Sequence, residues 1–129
     1  MAKQIRVLIV DDQPRARQSL KTLLGTCPQV KEVKEAGLAR EAMRIMEESQ
    51  LDVVLMDVQM PEMDGLQATQ LIKAKWPQVK VIVLTLYAEY AAEAEAAGAD
   101  AFLCKGEPTE KLLATLAEVA GVQNKRDAT

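Results

Sequence analysis

Four short apolar runs along this chain each close on a polar side chain. The run Val7-Leu8-Ile9-Val10 closes on Asp11-Asp12, and Leu51-Asp52-Val53-Val54-Leu55-Met56 closes on Asp57. Val79-Lys80-Val81-Ile82-Val83-Leu84 closes on Thr85, and Ala101-Phe102-Leu103-Cys104 closes on Lys105. Apolar runs this short, bounded by polar or turn residues, predict buried strands at about 5–10, 51–57, 79–84 and 100–104. A further strand at 30–36 alternates apolar with charged residues, the pattern of an edge with one wet face.

Between the strands the apolar period lengthens to that of a helix. Ala16, Leu20, Leu23 and Leu24 share one face of a helix that opens at Pro14 and stops at Gly25. Leu38, Ala42, Ile45 and Met46 line a second at 38–48, and Ala68, Leu71, Ile72 and Trp76 a third, from Gly65 to a stop at Pro77. The Ala/Glu-rich stretch 88–97, closed by Gly98, favours helix but offers little bulky apolar surface, so it should dock loosely. Pro108-Thr109 opens a last helix with Leu112, Leu113, Leu116 and Val119 facing in and an end near Gly121.

Strands in strict alternation with helices predict an α/β fold. The expectation is a (βα)5 doubly wound, five-stranded parallel sheet in order 2-1-3-4-5, a three-layer sandwich of flavodoxin-like topology. One domain is expected over 1–121, with 122–129 a polar tail or the start of a linker to an output domain outside this sequence. Such sheets bind ligands beyond the strands' carboxyl ends, where the strand order reverses. That places Asp11, Asp12 and Asp57 beside one crevice, with Thr85 and Lys105 at the same end.

Composition narrows the chemistry. Aromatic residues make up only 3% of the chain, which leaves few platforms for stacking a base or a flavin. A net charge of −3 argues against binding nucleic acid, whose phosphates require a basic surface. No histidine is present, so histidine zinc sites, histidine triads and a phosphohistidine carrier are excluded. Cys27 and Cys104 lack close-spaced partners, which suits a reducing, cytoplasmic setting. The apolar runs fall far short of the roughly 20 residues needed to span a bilayer, so no membrane role is expected.

Three carboxylates in one small pocket raise one another's pKa and oppose folding unless a cation intervenes. Mg2+ suits them, since it takes oxygen ligands and is often held by one or two carboxylates together with a phosphate. A strand-end carboxylate can then act as a nucleophile and form an acyl phosphate. Lys105 and Thr85 would bond the phosphoryl oxygens. Each residue also has a plainer use: Asp11-Asp12 could cap the helix at Pro14, Thr85 is a good β-former, Lys105 a counter-ion for Asp57, and Phe102 a core aromatic.

Taken in order, Asp11-Asp12, then Asp57 with Met60-Pro61-Glu62-Met63-Asp64-Gly65, then Thr85, then Gly98-Ala99-Asp100-Ala101-Phe102-Leu103-Cys104-Lys105, the set resembles the receiver domain of two-component response regulators. The likeness runs from about residue 4 to about 121. It implies that Asp57 accepts a phosphoryl group from a sensor histidine kinase. It further implies that Asp11, Asp12, Asp57 and the backbone carbonyl of Gln59 hold Mg2+, that Lys105 contacts the phosphoryl group, and that Thr85 and Phe102 form a switch. Through that switch the surface of the fourth helix, fifth strand and fifth helix would control an output. Lys105-Gly106 in place of the commoner Lys-Pro resembles the NarL/LuxR-type branch, and it removes the usual reason for a cis peptide after the lysine. That branch implies transcriptional control through a DNA-binding domain not present in this sequence, and it allows a homodimer on phosphorylation. The chain itself would be a regulator, not an enzyme, with at most slow self-phosphorylation from small donors and slow self-dephosphorylation.

Three other functions compete. A flavodoxin-like electron carrier needs a phosphate-binding loop after the first strand, where this chain has Asp11-Asp12-Gln13-Pro14. A haloacid-dehalogenase-type phosphatase needs a second Asp two residues beyond the nucleophile, where this chain has Gln59. A stand-alone receiver acting by protein docking shares every residue of the site and differs only in its partners. Gln59 and Tyr87, two residues beyond Asp57 and Thr85, are expected at the mouth of the pocket.

Overall fold

The computed structural model of the chain describes residues 4–121, so the stretch 122–129 read as a tail or linker lies outside the described residues. The elements are β1 (Ile5–Val10), α1 (Pro14–Leu24), β2 (Val30–Ala36), α2 (Ala39–Glu48), β3 (Val53–Met56), α3 (Gly65–Lys75), β4 (Lys80–Thr85), a 3-10 turn (Ala88–Tyr90) that runs into α4 (Ala91–Ala96), β5 (Ala101–Cys104) and α5 (Thr109–Ala120). The strands form one parallel sheet in the order β2-β1-β3-β4-β5, as the sequence predicts.

Alternation along the strands divides the apolar residues between two faces. Leu8 and Val10 of β1, Val54 and Met56 of β3, and Val81 and Val83 of β4 pack with Ala39, Ala42 and Met46 of α2, Ala68 and Ile72 of α3, and Ala94 of α4. Their neighbours Ile5, Val7, Ile9, Val53, Leu55, Ile82 and Leu84 pack with Leu24 of α1 and Leu112, Leu116 and Ala120 of α5. Strands β1, β3 and β4 are covered on both faces and carry almost unbroken apolar sequence, whereas edge strand β2 alternates. Among the described residues no helix is long and apolar enough to cross a membrane.

Two expectations about helices need correction. Leu71, read as inward-facing, is 49% exposed. The buried face of α3 is Gly65, Ala68, Thr69 and Ile72, and Leu71 is set off from Ile72 by the roughly 100° between consecutive helical residues. The stretch 88–97 is not one helix but a 3-10 turn followed by six residues of α4. Methyl side chains supply so little apolar area there that only Ala94 of α4 and Ala97 just beyond it are buried. Propensity alone does not hold a longer helix straight against the sheet.

Candidate functional site

Three of the polar residues predicted to meet at the sheet's carboxyl end are fixed by a ladder hydrogen bond carried past the end of a strand. The Asp57 N–H donates to the Val10 carbonyl at 3.0 Å, the Asp11 N–H to Ala36 at 3.1 Å, and the Lys105 N–H to Thr85 at 2.7 Å. Strand pairing therefore sets the positions of these backbones. The loop that carries Lys105 is closed by Glu107, whose carboxylate accepts from the Cys104 N–H at 2.8 Å. Gly106 sits there at φ +92°, in the left-handed region, and the described peptide bonds are all trans.

The five side chains converge. Asp11 is buried with 2% exposure, Asp57 with 8% and Thr85 with 1%, while Asp12 is half-buried. Carboxylate oxygens of Asp11, Asp12 and Asp57 all lie within 4.8 Å of one another. The Lys105 ammonium is 2.6 Å from Asp11 Oδ2 and 3.4 Å from Asp57 Oδ2. Asp57 Oδ1 accepts from the Val58 N–H at 2.8 Å. The Thr85 hydroxyl accepts a long bond, 3.5 Å, from the Tyr87 N–H. Above them opens a cleft of about 480 Å3 lined by Asp12, Gln13, Asp57, Gln59, Met60, Pro61, Thr85, Leu86, Tyr87 and Lys105. Gln59 and Tyr87 thus stand at its mouth as expected. Phe102 is half-buried on the α2–α3–α4 face, opposite Val83 in the sheet.

The plainer reading of Asp11-Asp12 as a helix cap is not what the structure shows. The N-cap of α1 is Gln13, and no side-chain hydrogen bond caps the helix. Asp11 Oδ1 instead accepts from the Gln13 N–H at 2.9 Å, a turn two residues long that braces the acidic loop.

The electrostatics follow from crowding. Burial pushes the Asp57 carboxyl above its ordinary value; the Lys105 charge opposes that rise and the Asp11 charge adds to it. Burial pulls the Lys105 ammonium down, but its hydrogen bond to Asp11 and the charges of Asp57 and Asp11 outweigh this, and its pKa ends above the usual lysine value. Three carboxylates against one ammonium leave two negative charges uncompensated. The donor set, all hard oxygen and doubly negative, fits a small dication such as Mg2+ and suits no soft metal.

Two features of the site escape a reading by motif and periodicity. Gly65, the first residue of α3, packs against the strand end: a Cβ built there would lie 1.9 Å from the Asp57 carbonyl oxygen and 2.9 Å from Met56 Cγ. Its N–H donates to the Val58 carbonyl at 2.8 Å, and the fully buried Thr69 hydroxyl donates to the Gly65 carbonyl at 2.7 Å. The sequence signal that anchors this turn is Asp64-x-x-Gln67, which forms a capping box at the start of α3. Arg17 is the second: its guanidinium reaches the Asp11 carbonyl at 2.6 Å, and nothing in helical periodicity marks it.

Between Asp57 and Gly65 the loop turns at Glu62, whose φ is +71°. An L-residue with a Cβ is strained in this region, which asparagine adopts more readily than glutamate. Its only described ion pair is with Arg40 at 3.6 Å, both side chains being mostly exposed. Glu62→Asn should therefore stabilise the protein by about 0.5–1 kcal/mol, read as a higher midpoint in urea. A lower midpoint would show that the pair with Arg40 outweighs the backbone strain.

The profile of the family described as the response regulator receiver domain matches residues 7–117. The chain is 38% identical over 113 residues to the transcriptional regulatory protein YhcZ of Bacillus subtilis (strain 168), covering 86% of this chain and 53% of that one. It is also similar to a two-component response regulator of the LuxR family from Aurantimonas sp. SI85-9A1, with a TM-score of 0.83, 30% identity, and coverage of 98% of this chain and 94% of the other. The response regulator TrrA of Thermotoga maritima, solved in complex with Mg2+-BeF, gives a TM-score of 0.83 at 29% identity and covers 90% of this chain and 99% of its own. The chain spans about half the length of the curated relatives it matches.

Proposed function

The chain belongs to the response regulator receiver domain family, and from that premise we propose that it is a phospho-accepting signalling domain in which Asp57 takes a phosphoryl group from a sensor histidine kinase. The observation that carries the proposal is the Asp57 carboxylate itself. It opens on the cleft with one oxygen held by the Val58 N–H and the other facing Lys105, and two further acids stand within 4.8 Å. In the transfer, an Asp57 oxygen attacks phosphorus. The new O–P bond forms as the donor's N–P bond breaks, and the electron pair leaves on the donor nitrogen. No proton need be taken from Asp57, because its carboxylate is the nucleophile.

Asp11, Asp12 and Asp57, with the Gln59 backbone carbonyl, would hold Mg2+. When bound, the ion supplies charge neutralisation for the phosphoryl oxygens. The likeness to TrrA, solved with Mg2+-BeF, supports that assignment. Lys105 exchanges its contact with the Asp57 carboxylate for one with the phosphoryl oxygens. Thr85 gives up a 3.5 Å contact, already at the limit of a hydrogen bond, and its hydroxyl donates to the phosphoryl group instead.

The coupling to an output runs through a segment with few buried side chains. Leu86 is 66% and Tyr87 40% exposed beside Thr85, and α4 is anchored by little more than Ala94. Segments with so few buried contacts open at low free energy. An inward move of Thr85 leaves space for Phe102 and shifts the surface formed by α4, β5 and α5. The output is transcription through a DNA-binding domain outside this sequence; the chain itself touches no nucleic acid, pairs with a second copy on phosphorylation, and works in the cytoplasm. Beyond slow self-phosphorylation and self-dephosphorylation it turns over no substrate.

Incubation with acetyl phosphate and Mg2+ should add the mass of one phosphoryl group to the chain. Asp57→Asn, or removal of the metal by a chelator, should prevent it. A gain that persists in Asp57→Asn, or none in the parent protein, would refute the proposal.

A further inference from the structure

We infer that Arg17 is a positioning residue for the acidic pocket: held by Glu35 of the edge strand, its guanidinium fixes the peptide joining Asp11 to Asp12 and so aims both carboxylates at a divalent cation. The inference rests on the metal reading given above. Arg17 Nη1 donates to the Asp11 carbonyl at 2.6 Å. Its Nε donates to Glu35 Oε1 at 3.3 Å, and Glu35 Oε2 lies 3.4 Å from Lys21 Nζ. The Arg17 side chain is only 20% exposed. A planar guanidinium can serve a carbonyl and a carboxylate at once because its donors diverge from a rigid fork.

The peptide geometry turns that contact into control of the site. A trans peptide is planar, so the direction of the Asp11 carbonyl also fixes the Asp12 N–H and the path into the Asp12 Cα. On its other side Asp11 is already held by the Ala36 carbonyl, the Gln13 N–H and Lys105. Asp12 has no such support: among the described residues its carboxylate makes no hydrogen bond or ion pair. Its aim depends on the backbone that Arg17 holds. The fold also keeps space for the guanidinium. A Cβ at Gly37 would stand 3.2 Å from Arg17 Nη1, and Glu41 caps the Gly37 N–H at 2.8 Å, holding that backbone beside Arg17.

Outer groups that orient metal ligands typically change metal affinity by about 10- to 100-fold. Since Arg17 acts through backbone, the lower end is expected. Titration calorimetry with MgCl2 on the whole chain, together with melting of the metal-free protein, tests it. Arg17→Ala should raise the dissociation constant about tenfold. Arg17→Lys should recover part of the loss, because an ammonium reaches the carbonyl but cannot hold Glu35 in the same plane. Glu35→Gln keeps the guanidinium but loosens its clamp, and should weaken binding by about two- to threefold, taken as a small part of the effect of an outer group. Unchanged Mg2+ affinity in Arg17→Ala, whatever its melting temperature, overturns the inference. If that variant does not fold, unchanged affinity in Glu35→Gln does so. Asp12→Asn should lose binding altogether. A parent chain that binds no Mg2+ overturns the metal reading itself and this inference with it, whereas a parent that binds while Arg17→Ala binds equally well overturns only the role of Arg17.

Discussion

Gly65→Ala is expected to cost about 3 kcal/mol or more, the upper end of overpacking effects, and to lower the melting temperature by about 10 °C or more. A single methyl group has this effect because of what it meets. The built Cβ stands 1.9 Å from the Asp57 carbonyl oxygen and 2.8 Å from the carbonyl carbon. Backbone at the end of a buried strand cannot turn aside as a side chain can. Relief requires α3 to withdraw from the sheet, which breaks the bond from the Gly65 N–H to the Val58 carbonyl and pulls on the residue after Asp57. Phosphoryl labelling should accordingly fall further than the loss of folded protein explains. Adding Met56→Ala should not rescue the variant, since the Met56 side chain at 2.9 Å is the lesser obstacle. Denaturant titration and acetyl phosphate labelling read the two effects. A melting temperature within a degree or two of the parent would show that α3 slides freely and that the close approach constrains nothing.

Lys105→Met should destabilise the metal-free protein at neutral pH by about 2–3 kcal/mol, somewhat below the usual cost of removing one partner from a buried pair, because the ammonium is partly exposed. Methionine keeps most of the stem's apolar contact, so the loss is chiefly electrostatic. Two buried carboxylates are left facing each other with Asp12 close by. The pH dependence has a definite sign. The Asp57 pKa in the folded chain lies above its unfolded value of 3.8, so the folded state holds the proton more tightly. Its contribution to stability therefore declines as pH rises from about 3.8 through the folded pKa. Removing the Lys105 charge, which opposes the rise, makes that decline deeper. The difference between parent and variant should be smaller near pH 3.5, below the unfolded value for Asp57, and full near pH 7. Saturating Mg2+ should restore much of the loss. Equal penalties at the two pH values would mean that packing, not charge, is what Lys105 supplies.

The likeness to proteins of about twice this length bears on output more than on chemistry. Every group that the proposed phosphoryl transfer uses on the acceptor side lies between Asp11 and Lys105.

Much of the fold follows from local pattern. Four buried runs, one alternating run and the intervening helical periods yield the observed order of elements and, through the buried character of the runs ending at Asp11, Asp57 and Thr85, a central position for β1, β3 and β4. The convergence of Asp11, Asp57, Thr85 and Lys105 was legible for the same reason. Parallel strands bring residues at like positions to the same edge, so a polar residue just past each apolar run is assigned its place by topology alone. Helix faces with few bulky residues were less legible. Leu71 faces outward because the packing surface of α3 is set by Gly65, Ala68 and Thr69, residues that hydrophobicity scarcely registers. The break before α4 reflects contacts that methyl groups do not supply. The close approach at Gly65 and the clamp of Arg17 on the Asp11 carbonyl belong to tertiary structure alone. Both depend on how near a helix start comes to the end of the strand before it, and sequence pattern carries the direction a residue faces but not how closely two backbone segments will approach.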